Sequence, residues 1–363
     1  MKFCQNCFID KELKRIIASQ PEKGRCPICG CDNTPLYDTD TDQTIQQGFE
    51  NLLDIYTFKE DLPVSFPEDE IHSLADDLID NWNIFAPPLS SSNKHKILSS
   101  ILKERIKKDN NLLNRNVGIV QKYDDRYIFE YSILRSGKWE DFVDSIKKEN
   151  RFHNSTINLK MLGSFCSHLV TMYKSGKEFY RGRISENLCG IDIKDMSAPP
   201  PRNARPGRAN AEGISRLYLA SDERTAIHEI RAGAFDYITI GKFIAKQNVS
   251  VVNFRLINQI SPFDDSINPL IFAINKNCLE KIDKEMAKVL RQGDSHIDYI
   301  PTQYIADYLN SREFNNELPV SCNGVEYKST MNPAGYNLSI FDKELFECAE
   351  IKTIQVSGLQ YNY

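Results

Sequence analysis

The sequence predicts a multidomain protein with a small cysteine-built module, a mainly α-helical middle and an α+β C-terminal domain. Three observations carry this. The chain has 363 residues, more than one core of ordinary size encloses. Two C-x2-C pairs stand near its start, and apolar residues then recur at helical spacing. After residue 175 short β-rich runs are interspersed with helical ones, in a mixed order that suits α+β better than a doubly wound sheet. The expected boundaries are 1–36, 37–172 and 173–363.

Cys4 and Cys7 form the first pair, Cys26 and Cys29 the second, and residues 8–25 separate them. That spacing belongs to four-cysteine zinc sites. Two thiolates on one tight turn meet Zn²⁺ at about 2.3 Å and a second turn completes the tetrahedron. "CPICGC" supplies Pro27 and Gly30 for such a turn. Four thiolates leave no open position, so the expected metal is structural. Cys31 is a spare.

The middle opens with an acidic linker, "YDTDTDQT". In "PEDEIHSLADDLIDNW", Ile71, Leu74, Leu78, Ile79 and Trp82 keep helical spacing. "HKILSSILKERIKK" follows, with Ser92 or Asn93 as its expected cap. "RYIFEYSIL" reads as a strand or hinge. "WEDFVDSIKKENRF" and "NLKMLGSFCSHLVTMYKSG" read as two more helices. Arg151 and His153 are close in sequence, but two residues define no site. No acid, base or metal cluster marks this region, so it is expected to pack or regulate.

In the last part "KEFYRGRI" reads as a strand that carries Arg181 and Arg183 on one face. A Pro/Gly/Arg loop, "PRNARPGRAN", leads to the strand "ISRLYLAS". "SDERTAIHEIRAGA" is a helix capped by Ser221 or Asp222. "DYITIGKFIA" and "NVSVVNFRLI" are strands, and "LEKIDKEMAKVLRQG" is a helix ended by Gly293. "YIPTQYIADYLNS" leads into a helix. Asn323-Gly324 signals a hairpin before a polar strand, and "IKTIQVSGLQYNY" is a final strand. The dinucleotide G-x-G-x-x-G, the P-loop and H-E-x-x-H are all missing.

The stretches "YRGR", "PGRAN…GISRLYLAS…TAIHEI", "YIPTQYIADYL" and "GVEYKST…GYNLSIF" occur in an order that resembles the RES domain family. The likeness runs from about "FYRGR" to "LSIFD". It implies an ADP-ribosyltransferase-like fold acting on NAD⁺, with Arg181, Glu229 and Ser329 as catalytic residues. Arg208, Tyr218 and Arg183 are then expected to bind substrate. In the family an aromatic residue usually follows the loop arginine, where this chain has Ala209. The preceding "WEDFVDSIKKENRF" resembles the helical domain ahead of some RES domains, related in description to HEPN helices. It lacks the ribonuclease pattern of Arg, four variable residues and His.

The resemblance implies cleavage of the nicotinamide–ribose bond, by phosphorolysis with phosphate as co-substrate or by hydrolysis. It also implies a toxin or defence role with an antitoxin or other regulatory protein as partner. The residue types suit NAD⁺. Forked guanidinium groups hold a pyrophosphate, Tyr218 offers a face to the nicotinamide cation, and a carboxylate such as Glu229 steadies an oxocarbenium-like ribose. Two rivals use the same sequence: an ADP-ribosyltransferase that modifies a protein or nucleic acid, and a non-enzymatic zinc-containing sensor.

Composition narrows the partners. A net charge of −5 argues against bulk electrostatic binding to nucleic acid or anionic membrane, and leaves a local basic patch open. Apolar runs such as "SVVNF" and "NPLIFAI" are too short to span a bilayer. "MKFCQNCFID" has no signal-peptide profile, and ten irregularly spaced cysteines do not make a secreted disulfide framework. A cytoplasmic protein is expected.

Overall fold

The computed structural model describes residues 1–288 and 295–358. They divide into two compact units, one of Met1–Ser132 and Gln259–Lys276, the other of Ile133–Asn258 and Asn277–Tyr363. Helices accompany small sheets in the first, and a large mixed sheet organises the second. No helix among the described residues is long and apolar enough to cross a membrane.

The first unit begins with a sheet of β1 (Lys2–Cys4), β2 (Lys23–Gly24) and β3 (Thr34–Asp38), in the order β1-β3-β2. Asp10 accepts from the N–H groups of Glu12 and Leu13 and so starts the helix Lys11–Ala18. Its apolar stripe buries Leu13 and Ile17. The cysteine turns are tied to the rest of the unit. Ala86 N–H donates to Cys7 O at 3.0 Å, and Phe8 stacks on Phe85 at 5.5 Å. A second small sheet has β4 (Thr57–Phe58) and β5 (His72–Ser73) on either side of β6 (Asn116–Gly118).

The second unit's sheet holds β7 (Val170–Tyr173), β8 (Glu178–Ser185), β9 (Leu217–Ala220), β10 (Tyr237–Ala245), β11 (Val249–Asn253), β12 (Gly324–Lys328), β13 (Tyr336–Ile340) and β14 (Phe346–Gln355). Their order is β14-β10-β8-β9-β13-β12-β11-β7. All neighbours are antiparallel except β11 and β12. Phe179, Leu217, Leu219, Phe243, Val251, Leu338 and Ile340 form its core. β8 and β9 pair at Tyr180↔Ala220 alone, so the sheet parts beyond that rung.

Four local expectations are corrected. "RYIFEYSIL" holds a helix, Asp125–Tyr131, because Asp124 accepts from Arg126 and Tyr127 N–H and caps it. The helix Ser91–Ile101 takes its cap from Ser90 rather than Ser92 or Asn93. "NLKMLGSFCSHLVTMYKSG" is a helix only over Leu159–Ser167, and its β-prone end becomes β7, paired with β11. Asn323-Gly324 is no hairpin turn. Asn323 exchanges hydrogen bonds with Ser250 and accepts from Phe341 N–H. A Cβ on Gly324 would lie 2.5 Å from Ser339 O, so this glycine serves close strand approach. The β12–β13 turn lies at residues 329–335. Gly293 and residues 359–363 of the last expected strand lie outside the described residues.

Candidate functional site

The parting between β8 and β9 opens a cavity of about 770 Å³. β8 contributes Tyr180, Arg181 and Gly182 to its wall, and β9 contributes Tyr218, Leu219 and Ala220. The helix Glu223–Glu229 closes one side with Ala226 and Glu229.

That helix sits close because of one glycine. A Cβ on Gly182 would come within 3.0 Å of Ala226 O and 3.2 Å of Ile230, so "YRGR" lets helix and strand touch. Asp222 caps the helix, accepting from Thr225 N–H at 2.9 Å. The β12–β13 turn then grips its flank. Asn332 Nδ2 donates to Thr225 Oγ1 at 2.8 Å, and His228 Nδ1 lies 3.1 Å from Met331 O.

These supports bring Glu229 and Ser329 together. Ser329 Oγ donates to Glu229 Oε1 at 2.6 Å and accepts from Asn332 N–H at 3.1 Å. Asn337 Nδ2, on β13, donates to the same Oε1 at 2.7 Å. Ser329 is only 4% exposed and is not part of the cavity wall, whereas Glu229 and Asn337 are.

Arg181 donates from Nη1 to Tyr218 O at 3.2 Å. Its Nε is shut off from water and has no hydrogen-bond partner among the described residues. Burial pushes its pKa down to about 10, with Arg183 adding to the effect. A guanidinium this poorly matched gains from an anion placed against it. Arg183 lies on the same strand face, but its Nη1 donates to Asp195 O and it does not line the cavity.

The arginine loop is organised by Asn210, whose Nδ2 donates to the carbonyls of Arg205, Ala211 and Ile214 at 2.9, 3.0 and 3.0 Å. Tyr218 OH donates to Asn210 Oδ1 at 2.6 Å and accepts from Ala209 N–H. Burial raises the pKa of this phenol. Gly207 leaves no room for a Cβ, which would lie 2.7 Å from both Asn210 Oδ1 and Tyr218 OH. The result aims Arg208 at the cavity, over the Tyr327 ring at 5.4 Å and hydrogen-bonded to Met286 O. Arg202 and Arg205 stay exposed and outside the wall.

Sequence reasoning missed Asn337, Arg231, His296, Tyr299 and Tyr327, all of which line the cavity. Arg231 follows the glutamate helix with φ 49°, a left-handed conformation usually filled by glycine at this point. Two features could have exposed Asn337. It shares a strand face with Ser339, two positions on, and the strand is otherwise apolar.

In the first unit the four cysteine sulfurs lie within 4.8 Å of one another. Cys4 Sγ is 3.4 Å from Cys29 Sγ, and Cys7 Sγ is 3.7 Å from Cys26 Sγ. A tetrahedral site with zinc–sulfur bonds of about 2.3 Å has edges of about 3.8 Å, so the donor set can hold such a metal. Cys31 O accepts from Cys26 N–H at 2.8 Å and Gly30 takes φ 77°, which closes the second turn.

The strained residue gives a test. Arg231→Gly should raise stability in chemical denaturation by about 1 kcal/mol, the scale of one left-handed non-glycine residue. A loss of stability would mean that the arginine's own contacts outweigh the strain.

Residues 190–361 match the RES domain family. Arg181 and Arg183 precede the matched range. No curated protein matches the chain significantly. A solved structure described as the crystal structure of the M. tuberculosis MbcT–MbcA toxin–antitoxin complex is similar over 54% of this chain and 92% of that chain, at 10% identity and TM-score 0.29. What this chain is similar to is therefore the RES domain family, over residues 190–361 of its C-terminal part.

Proposed function

We propose that the protein consumes NAD⁺ by breaking its nicotinamide–ribose bond. The observation that carries this is Arg181 and Glu229 in the wall of one cavity, the first a half-buried guanidinium whose enclosed Nε has no partner among the described residues, the second a carboxylate anchored through a single oxygen. Arg181 and Arg208 would hold the pyrophosphate, and Tyr218 would face the nicotinamide ring. As the bond breaks, its electron pair leaves with neutral nicotinamide. Glu229 then stabilises the cationic ribose. Water or phosphate adds at the same carbon, and water as acceptor sheds one proton. The match of residues 190–361 to the RES domain family supports the same reading. A toxin role in the cytoplasm, with an antitoxin or regulatory protein to restrain it, follows from that reading.

Nicotinamide release by the purified protein tests the reaction, with and without phosphate to separate phosphorolysis from hydrolysis. ADP-ribose that stays covalently on protein or nucleic acid would instead assign transfer. Glu229→Gln keeps the size of the side chain and removes its charge. Because the ribose charge develops in the transition state, kcat should fall roughly a hundredfold or more while KM changes little. Full turnover by Glu229→Gln would make the carboxylate structural.

We also propose that Cys4, Cys7, Cys26 and Cys29 hold one structural Zn²⁺. It would tie the two cysteine turns together and take no part in cleavage. Metal analysis should find one zinc per chain, lost in Cys26→Ser. A zinc-free protein with the same stability would refute the assignment.

A further inference from the structure

We propose that Asn337 is a positioning residue that fixes the Glu229 carboxylate, leaving Oε2 as the oxygen presented to substrate. This rests on the NAD⁺ reading for what the carboxylate does, and on geometry for how it is held.

A glutamate carboxylate turns easily about its last bond, because that torsion is broad and two-fold. One donor would not fix its plane. Here Oε1 accepts from Ser329 Oγ at 2.6 Å and from Asn337 Nδ2 at 2.7 Å. The two donors come from different elements, the β12–β13 turn and strand β13. No hydrogen bond to Oε2 occurs among the described residues. Ser329 spends its one proton on Glu229, accepts from Asn332 N–H, and lies 4% exposed outside the cavity wall. It therefore acts through Glu229 and not on substrate. Asn337 is 6% exposed, and its backbone is held opposite Ala220 in β9. It cannot drift with the turn, so it sets the carboxylate's angle relative to the cavity wall.

Steady-state kinetics on Asn337→Leu and Asn337→Asp tests this. The loss in Asn337→Leu should fall on kcat, by roughly tenfold to a hundredfold, with KM within about threefold, because a misaimed group costs turnover more than binding. Asn337→Asp keeps the shape, but can donate to Oε1 only while its carboxyl is protonated. Two carboxyls at this distance hold a proton between them more tightly than either alone. Turnover should thus survive at low pH and fall as pH rises, along a limb that the parent lacks. Asn337→Leu turning over within twofold of the parent, or an Asn337→Asp pH profile identical to the parent's, would overturn the proposal.

A second readout separates this from the reaction itself. With carboxyl-¹³C glutamate, the Glu229 signal is assigned by its absence in Glu229→Gln. It should move in Asn337→Asp even if no NAD⁺ is consumed. An unmoved signal refutes the positioning role, whereas a moved signal in a protein that releases no nicotinamide supports positioning and refutes the NAD⁺ reading alone.

Discussion

One carboxylate oxygen ties the site together. Glu229 Oε1 is reached by a serine from a turn and an asparagine from a strand, and each donor depends on packing elsewhere. The turn is locked onto the helix through Asn332 and Thr225. It can approach only because Gly335 has no side chain, since a Cβ there would lie 2.0 Å from Thr225 Oγ1. The helix reaches β8 across Gly182. Glycines, a cap and a hydrogen-bonded turn thus converge on the placement of one charged group.

The opposite charge is held at a cost. Arg181 sits beside Arg183 with a buried Nε that has no hydrogen-bond partner among the described residues. Such groups lower stability unless a ligand completes them, which is a common signature of sites shaped for binding. The strained Arg231 at the end of the glutamate helix belongs to the same pattern. The cavity joins three arginines and one carboxylate in its wall, a balance that favours a dianion with a reactive centre beside it.

The sequence made some of this legible for direct physical reasons. Cysteine spacing is a local signal, so the four candidate ligands could be read without a fold, and their sulfurs do lie together. The strand before the loop and the capped glutamate helix follow from alternation and a cap. Arg181 and Arg183 look equivalent by alternation, yet only Arg181 reaches the cavity, because the Asp195 carbonyl takes up the other. Asn323-Gly324 imitates a turn, whereas the glycine lets β12 lie close against β13. Arg231 was hidden because its role arises from a helix ending earlier than Gly233 would suggest. His296 and Tyr299 lie on a short 3₁₀ turn without periodicity, and only tertiary packing brings them to the wall.

The central claim is that the arginine-lined cavity is an anion clamp beside a carboxylate. Calorimetric titration of ADP-ribose into the parent and Arg181→Met tests it most directly, because it needs no turnover. The account predicts that the parent binds and that Arg181→Met, while still folded, loses roughly tenfold to a hundredfold in affinity, the worth of about 1.5–3 kcal/mol from hydrogen bonds to a charged group. Equal affinity in both proteins would contradict it.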